Sequence, residues 1–278
     1  DYTLEPMQQR NFNFSYMFQY NDINIYEKGN RAYNTTYKYH LAEFGFSDVW
    51  YKNFRFGLGL RFEYYKYKDF LFKQPELIDL KVESEHFLSY FAQIHYNTYD
   101  KGYFPAKGSD FKAAYSLYTD NMAQYNEHAP FSALSASWAS VLPIPRRFSV
   151  IPSIYGRILI GRNFPYPLQN AIGGEVPGFY IPQQLPFAGV NNIELMDNAI
   201  MIASLKFRQR MGAIHYLILT GNYGLTDSHF FKILKGKQLF GISAGYGMDS
   251  VFGPLEISLG YSNQTDKASC FVNLGYYF

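Results

Sequence analysis

The chain has 278 residues, of which 20% are aromatic and only 17% are charged. This composition excludes a disordered chain, and the mean hydropathy of −0.23 argues against a bundle of membrane-spanning helices. No run approaches the roughly 18 consecutive apolar residues that such a helix needs, and a formal net charge of +2 is too small to predict a nucleic-acid partner. The class that remains is the membrane-spanning β-barrel, whose strands need an apolar side chain only at every second position.

Twelve segments alternate between large apolar residues and small or polar ones, which is the period of a β-strand. In chain order they lie near residues 12–20, 33–48, 54–64, 86–99, 109–119, 130–142, 147–161, 198–211, 213–225, 240–248, 255–261 and 270–278. Pro and Gly cluster between some of these segments, where we expect turns and loops. We therefore predict an all-β transmembrane antiparallel barrel of about 12 strands, forming a single domain over residues 1–278.

The two faces of these strands differ in character. One carries Phe, Tyr, Leu and Ile, and the other carries Gly, Ser and charged residues, so we assign the first to lipid and the second to the lumen. A charge on the lipid face at mid-depth would cost roughly 2–4 kcal/mol. The charged residues predicted to face the lumen are Arg55, Arg61, Glu63, Lys112, Arg157, Lys206, Arg208, Arg210 and Glu256.

Three of these residues, Lys206, Arg208 and Arg210, form a basic wall on one strand. The wall could attract anions into a pore or hold an acidic plug. The alternative, which we favour, is pairing with Glu63, Glu256 or loop carboxylates across the lumen, because small barrels fill their lumens with side chains.

Few residues suggest a metal or a cofactor. Cys270 is the single cysteine, which excludes an internal disulfide framework within this chain. Acidic residues and His86 lie close together in the charged stretch 79–86, which we interpret as a solvated external loop. We predict no metal site and no cofactor. Because Asp1–Pro6 has no signal-peptide character, we expect that a signal sequence was removed or that the chain continues from an upstream segment.

Three stretches resemble one family. The end of the chain, Asn-Leu-Gly-Tyr-Tyr-Phe at 273–278, resembles the C-terminal signal by which bacterial outer-membrane barrels are recognised by their assembly machinery, with Phe278 as its terminal residue. Residues 100–108, Asp-Lys-Gly-Tyr-Phe-Pro-Ala-Lys-Gly, are similar to the D-x(n)-F-P-x-x-G turn of the Omp85 superfamily. In that turn Pro105 fixes the backbone and Gly108 permits a positive φ.

The third stretch, residues 164–189, occupies the place of the lumen-inserted loop of Omp85 barrels, whose tip reads V-R-G-F/Y. Five strands follow it here, as five follow that loop in the family's sixteen-stranded barrels. The matching tip residues are Glu175, Val176, Pro177, Gly178 and Phe179. Pro177 stands where the family has Arg, so the family's usual contact between the tip arginine and the barrel wall cannot form.

The variant Gly-Gly-Glu-Val-Pro-Gly-Phe-Tyr at 173–180 looks most like the barrel portion of patatin-like phospholipases of Bacteroidetes. That resemblance implies a bacterial outer-membrane location, contact with outer-membrane lipid, and lipase or POTRA-like domains upstream of this chain. About seven strands precede the loop where the family would have eleven. The chain is therefore expected to form a smaller barrel or to be part of a sixteen-stranded one, and a homodimer is a further possibility.

A catalytic centre is not expected on this chain. Residues 241–245 read Gly-Ile-Ser-Ala-Gly, a literal G-x-S-x-G, but they lie within an alternating strand and not at a strand-to-helix turn. No D-G-G/A sequence accompanies them. A lipase with a Ser–His pair on its lipid-facing wall is a further alternative, but none of the six histidines is followed by Ser two positions later.

The first functional hypothesis is that the chain is the barrel of a patatin-like phospholipase and anchors or translocates an upstream lipase domain. Segment 164–189 would act as a plug or latch, with Glu175 in contact with the basic wall. The second is a stand-alone channel or transporter, or an assembly-type Omp85 barrel. The third is an integral-membrane lipase.

Overall fold

The computed structural model describes residues 9–51, 53–72, 84–120 and 129–275. Twelve antiparallel strands form one sheet, and three short strands form a second sheet between β7 and β11. In the described part of the chain, no helix is both long enough and apolar enough to cross a membrane. The strands are β1 Gln9–Glu27, β2 Asn30–Tyr51, β3 Phe54–Phe72, β4 Glu85–Asn97, β5 Gly108–Tyr118, β6 Phe131–Ile144, β7 Phe148–Ile160, β8 Asn170–Ile172, β9 Gln184–Leu185, β10 Leu195–Asp197, β11 Ala199–Arg210, β12 His215–Asp227, β13 Lys237–Ser250, β14 Gly253–Ser262 and β15 Lys267–Leu274; two short 3-10 helices span Tyr166–Leu168 and Phe230–Lys235.

The sheet confirms the predicted strands and their order. Each of the twelve alternating segments overlaps one strand, with seven strands before the long loop and five after it. The predicted bounds of the first three were too short, because β1, β2 and β3 have 19, 22 and 19 residues. The alternation fades near one end of these strands, where a side chain no longer has to match lipid on one face.

The connections divide between two ends of the sheet. One end, here called the loop end, carries the connections 28–29, 161–198, 228–236 and 263–266, the ends of β3 and β5, and the starts of β4 and β6. The other, here called the terminal end, carries the start of β1, the end of β2, the start of β3, the end of β15 and the connections 98–107, 145–147, 211–214 and 251–252. Short turns at one end and longer loops at the other are typical of outer-membrane barrels, in which the longer loops are extracellular. By this rule the loop end corresponds to the extracellular side.

The lumen differs from the prediction in its loop-end half. There the inward side chains are large and buried, including Tyr39, Phe87 and Phe131, and they pack against Leu168 and Ile193 of the long loop. The small and polar lumen face holds for the inward positions of β13 and β14, but not for this half. The inserted loop brings apolar side chains into the lumen, so the wall that faces it must also be apolar to exclude water.

Candidate functional site: the lumen loop

Residues 161–198, here called the lumen loop, join β7 to β11 and fold into a small sheet. In this sheet β8 pairs antiparallel with β10 and parallel with β9. Gln184 is almost fully buried and organises the loop tip. Its side-chain amide donates to the carbonyls of Gly173 and Val176, and its carbonyl oxygen accepts the Tyr180 N–H at 2.7 Å. Because both halves of the amide are used, Gln184 fixes the turn that presents residues 174–180.

The tip residues predicted to form a latch contact the barrel wall. Glu175 accepts the Ser243 hydroxyl at 3.2 Å and the Gly189 N–H at 3.3 Å. Phe179 packs edge-on against Phe271 of β15, with ring centroids 5.7 Å apart. Val176 is buried, and Gly178 has a φ of +68°. The tip is therefore held by β13 and β15.

The base of the loop is held by Arg157, whose role the sequence did not reveal. Arg157 extends from β7 and donates to the carbonyl of Leu168 at 2.8 Å and to the side chain of Asn170. Asn170 is fully buried, and its amide donates to the carbonyls of Arg157 and Asn198, each at 2.8 Å. The available signal was an inward arginine on the strand that leads directly into the loop.

The segment 186–189 lies against glycines of the wall. Phe187 is buried and contacts Gly224 and Gly241, and a Cβ added at Gly241 would lie 2.2 Å from the Ala188 carbonyl oxygen. The inward glycines of β13 therefore make room for the loop. This explains the G-x-S-x-G sequence: its first glycine lies beneath the loop, and its Ser243 bonds to Glu175 from within a strand.

Residues 191–194, here called the seam segment, lie between the two edge strands of the large sheet. Toward β1, the Tyr26 N–H donates to the Ile193 carbonyl at 2.8 Å, and the Gly29 N–H donates to the Glu194 carboxylate at 3.1 Å. Toward β15, the Asn191 amide donates to the Cys270 carbonyl at 2.7 Å. The lumen loop thus bonds to both edges, whereas no strand pairing joins β1 to β15 within the described residues.

Contacts at the loop end reinforce this bridge. Lys267 donates its ammonium to the Gly29 carbonyl at 3.0 Å and to the Asn30 side chain at 2.9 Å. The Gln264 amide donates to the Glu194 carbonyl at 3.4 Å. Glu194 is buried, and this desolvation raises the pKa of its carboxyl, although the Gly29 N–H and the positive charge of Lys267 act in the opposite direction.

The connection 98–107 packs into the terminal end of the lumen. The Asp100 carboxylate accepts the Ala106 N–H at 2.8 Å, which closes the predicted turn. Phe104 is buried and stacks on Tyr216, with ring centroids 4.4 Å apart. Gly108 has a φ of +107°, which confirms the expected positive φ.

A chamber of about 420 Å³ lies between this turn and the lumen loop. Lys206, Arg208, Glu175 and Glu256 all line it. Arg208 donates to the Pro105 carbonyl and lies over the Tyr216 ring, with its guanidinium carbon 5.7 Å from the centroid. The chamber therefore brings opposite charges together without the predicted direct contact, because the hydrogen bonds of the Glu175 carboxylate go to Ser243 and Gly189.

The basic wall is divided in two by these contacts. Arg210 bonds to the Ala213 carbonyl at 2.7 Å in the turn beyond the chamber. The expected pairing with Glu63 is wrong: Glu63 is buried and accepts the hydroxyls of Tyr39 at 2.8 Å and Tyr118 at 3.3 Å. The hydroxyls of Tyr39 on β2 and Tyr118 on β5 bind this carboxylate, which the spacing of charges along the sequence does not reveal.

Comparison with known proteins identifies the family. A sequence model of the OMP85 superfamily matches residues 7–278. The chain belongs to the OMP85 superfamily. It is therefore an outer-membrane β-barrel protein of bacteria, as predicted.

Two solved structures share the OMP85 barrel fold. BamA from Haemophilus ducreyi, lacking POTRA domains 1–3, aligns with a TM-score of 0.70 and 12% identity, over 99% of this chain and 60% of that one. CdiB from Escherichia coli aligns with a TM-score of 0.58 and 13% identity, over 92% of this chain and 46% of that one. Identities this low show the fold alone. No curated protein matches the sequence.

Three other predictions for this OMP85 barrel concern the assembly signal, a metal site and a Ser–His pair. Phe278, the predicted assembly signal, lies outside the described residues. Within the described residues, no group of three or more His, Cys, Asp and Glu side chains could hold a metal ion. The Ser228 hydroxyl lies 2.9 Å from His229 Nδ1, but the two residues are sequence neighbours in an exposed turn, where the His229 N–H donates to the Asp227 carboxylate at 2.7 Å. This pair is a turn contact at the loop end and not a site on the lipid-facing wall.

Proposed function

We propose that this OMP85 barrel anchors a preceding domain of the same protein in the outer membrane, or moves that domain across it, and that the seam between β1 and β15 takes part. The observation that carries the proposal is the seam segment, which bonds to both edge strands where strand pairing is lacking among the described residues. An unpaired strand edge is a template for another strand. The seam therefore offers a place for further strands of the same protein or for a passing segment.

The preceding domain is proposed to be a patatin-like phospholipase. Residues 173–180 support this through their resemblance to the barrel portion of such enzymes. The chain spans 60% and 46% of the two solved relatives, so related barrels carry substantial additional sequence. Reading the complete gene tests the assignment directly, because an upstream G-x-S-x-G together with D-G-G/A is expected.

A stand-alone channel is less well supported. In the part of the chain that the structure describes, the lumen loop and the connection 98–107 enter the lumen from opposite ends, and a chamber of about 420 Å³ lies between them. Both segments occupy space that a solute would need. An assembly-type barrel is the second candidate, favoured by the shared fold with BamA and CdiB. Against this candidate, Pro177 stands at the loop tip where the family has an arginine, so the family's usual contact between the tip and the barrel wall cannot form.

A cross-linking experiment tests the role of the seam. In the full-length protein with Cys270→Ser, the substitutions Asn30→Cys and Lys267→Cys would be joined by a bismaleimide, since the Lys267 ammonium reaches Asn30 at 2.9 Å. Arrival of the preceding domain at the cell surface would be followed by protease shaving. If the seam opens during translocation, cross-linking during synthesis blocks arrival; if the barrel is only an anchor, arrival is unchanged.

A matched control uses Ser109→Cys and Ser140→Cys. These residues face each other on the paired strands β5 and β6, with hydroxyl oxygens 2.9 Å apart. Their cross-link adds the same reagent without restraining the seam, so it should leave surface arrival intact. Equal loss in both variants would refute a role for the seam.

The assembly signal is proposed on sequence grounds. Removing Phe278 should lower the amount of folded barrel in cells, because the assembly machinery would no longer recognise the last strand. The amount of heat-modifiable protein in outer-membrane fractions measures this. An unchanged amount would show that assembly does not depend on Phe278.

A further inference from the structure

We propose that the outer wall of β1–β3 carries a binding site for phosphorylated lipid head groups of the outer leaflet, formed by Lys38, Lys66 and Lys68. The inference requires only that the barrel spans the outer membrane. It does not depend on what the barrel anchors or moves, so it can fail or succeed independently of the proposed function.

Strand register arranges the outward side chains of β1–β4 in rows. Toward the terminal end, two successive rows are apolar or aromatic: Phe14, Phe44, Leu60 and Tyr90 form one, and Tyr16, Ala42, Phe62 and Leu88 form the next. The following row toward the loop end is Phe18, His40, Tyr64 and His86. The row after that is Tyr20, Lys38 and Lys66, with Lys68 two residues beyond Lys66.

The order of these rows corresponds to increasing distance from the centre of the membrane. Phe14 and Phe18 are 73% and 49% exposed, which only a lipid environment makes favourable for a row of such rings. The row with two histidines has the character of an interfacial girdle, and the Tyr16 hydroxyl lies 2.7 Å from His40 Nδ1. Rows are about 7 Å apart along a strand, so the lysines lie at the level of the head groups.

The ammonium groups are available at this level. Lys66 and Lys68 are exposed and Lys38 is half-buried. Among the described residues, neither Lys38 nor Lys66 forms an ion pair, and the Lys68 ammonium lies 5.5 Å from the centroid of the Tyr20 ring. Asp22, farther along β1, already accepts the Asn34 amide at 2.5 Å. Among the described side chains, three positive charges therefore face the head-group layer, and the Asp22 carboxylate near them accepts an amide hydrogen bond.

Phosphate is the group that fits this arrangement. Each ammonium offers three hydrogen-bond donors and no acceptor, and a phosphate oxygen accepts charge-assisted bonds from such donors. The extracellular position selects lipid as the source of the phosphate. Acyl chains of that lipid would lie along the apolar rows below, so both ends of one molecule meet matching surface on the same three strands.

The test compares lipid A, a bis-phosphorylated glycolipid, with phosphatidylcholine and inorganic phosphate. The purified chain in neutral detergent would be titrated with each, and binding followed by native mass spectrometry. We expect lipid A to bind and the other two to bind weakly or not at all. The triple variant Lys38→Gln, Lys66→Gln, Lys68→Gln should lose about fivefold in affinity for each lysine removed, which corresponds to about 1 kcal/mol per cation near an anionic surface.

A control variant carries the same charge change at the opposite end: Lys107→Gln, Arg146→Gln and Arg147→Gln, all at exposed terminal-end positions. Heat modifiability on gels verifies that both variants fold. The proposal is overturned if the Lys38 triple variant binds lipid A as the parent does, if the control loses as much affinity, or if inorganic phosphate competes as well as lipid A.

Discussion

The Ser243 hydroxyl donates to the Glu175 carboxylate at 3.2 Å and so joins β13 to the tip of the lumen loop. The same carboxylate accepts the Gly189 N–H at 3.3 Å. One acidic side chain thus binds the wall and a second part of its own loop. This bond replaces the contact expected between Glu175 and the basic wall, and it defines how the latch can be tested.

Reversing the charge at position 175 should release the tip. In Glu175→Lys the carboxylate that accepts both bonds is lost, and the new cation shares the chamber with Lys206 and Arg208. Bonds to charged groups contribute about 1.5–3 kcal/mol, so we expect a lower unfolding temperature and a larger single-channel conductance in planar bilayers. Glu256→Lys is the control, because Glu256 lines the same chamber on β14. Unchanged folding and conductance in Glu175→Lys would rule out the latch.

Substituting Gly241 should disturb the loop from the wall side. A Cβ at this position would lie 2.2 Å from the Ala188 carbonyl oxygen and 2.7 Å from the Phe187 ring. Overpacking of this kind costs about 1–3 kcal/mol, so Gly241→Ala should unfold at lower urea concentration in liposomes. At Gly221 of the neighbouring strand a Cβ would meet nothing within 4 Å. Gly221→Ala should therefore match the parent, and equal loss in both would contradict the packing argument.

The sequence predicted the strands well because a barrel wall imposes one rule on every strand. Outward residues such as Phe14 and Leu205 must match lipid whatever their neighbours are, so alternation alone locates β1 and β11. The lumen has no such rule. Whether Glu63 meets an arginine or the hydroxyls of Tyr39 and Tyr118 depends on how strands are staggered and on what fills the lumen.

The same reason explains which site residues were missed. Arg157 and Asn170 bond to each other's main chain or side chain only after the chain reverses direction at the start of the loop. The seam segment, residues 191–194, meets β1 and β15, which are separated by most of the sequence. Short motifs locate the loop, but contacts at such separations follow from barrel geometry.

Removing the Arg157 side chain should loosen the base of the loop while leaving the wall intact. Arg157→Ala loses the bonds to the Leu168 carbonyl and to Asn170. The side-chain carbonyl of the fully buried Asn170 thereby loses this donor. We expect a loss of about 2 kcal/mol in stability and faster chymotrypsin cleavage of the loop after Leu168, Phe179 and Tyr180, none of which is followed by proline. Arg55→Ala, an exposed inward arginine of β3, is the control and should be cleaved at the parent rate.

The buried carboxyl of Glu194 should make the seam sensitive to pH. Burial raises its folded-state pKa above the ordinary value near 4.5, so the folded chain holds this proton more tightly than the unfolded chain does. Stability from this group is therefore highest below the ordinary pKa and decreases as pH rises through the interval up to the raised folded-state pKa. Above that interval the cost of the buried charge is constant.

Glu194→Gln removes this titration and can keep an acceptor for the Gly29 N–H, which lies 3.1 Å from the carboxylate. The variant should match the parent in unfolding temperature at acidic pH and exceed it at neutral pH. Glu27 is an exposed carboxylate at the same end of the barrel. Glu27→Gln is therefore the control, and its difference in unfolding temperature from the parent should not change between acidic and neutral pH. Parallel pH profiles for Glu194→Gln and the parent would mean that Glu194 is not the group that links proton binding to closure of the seam.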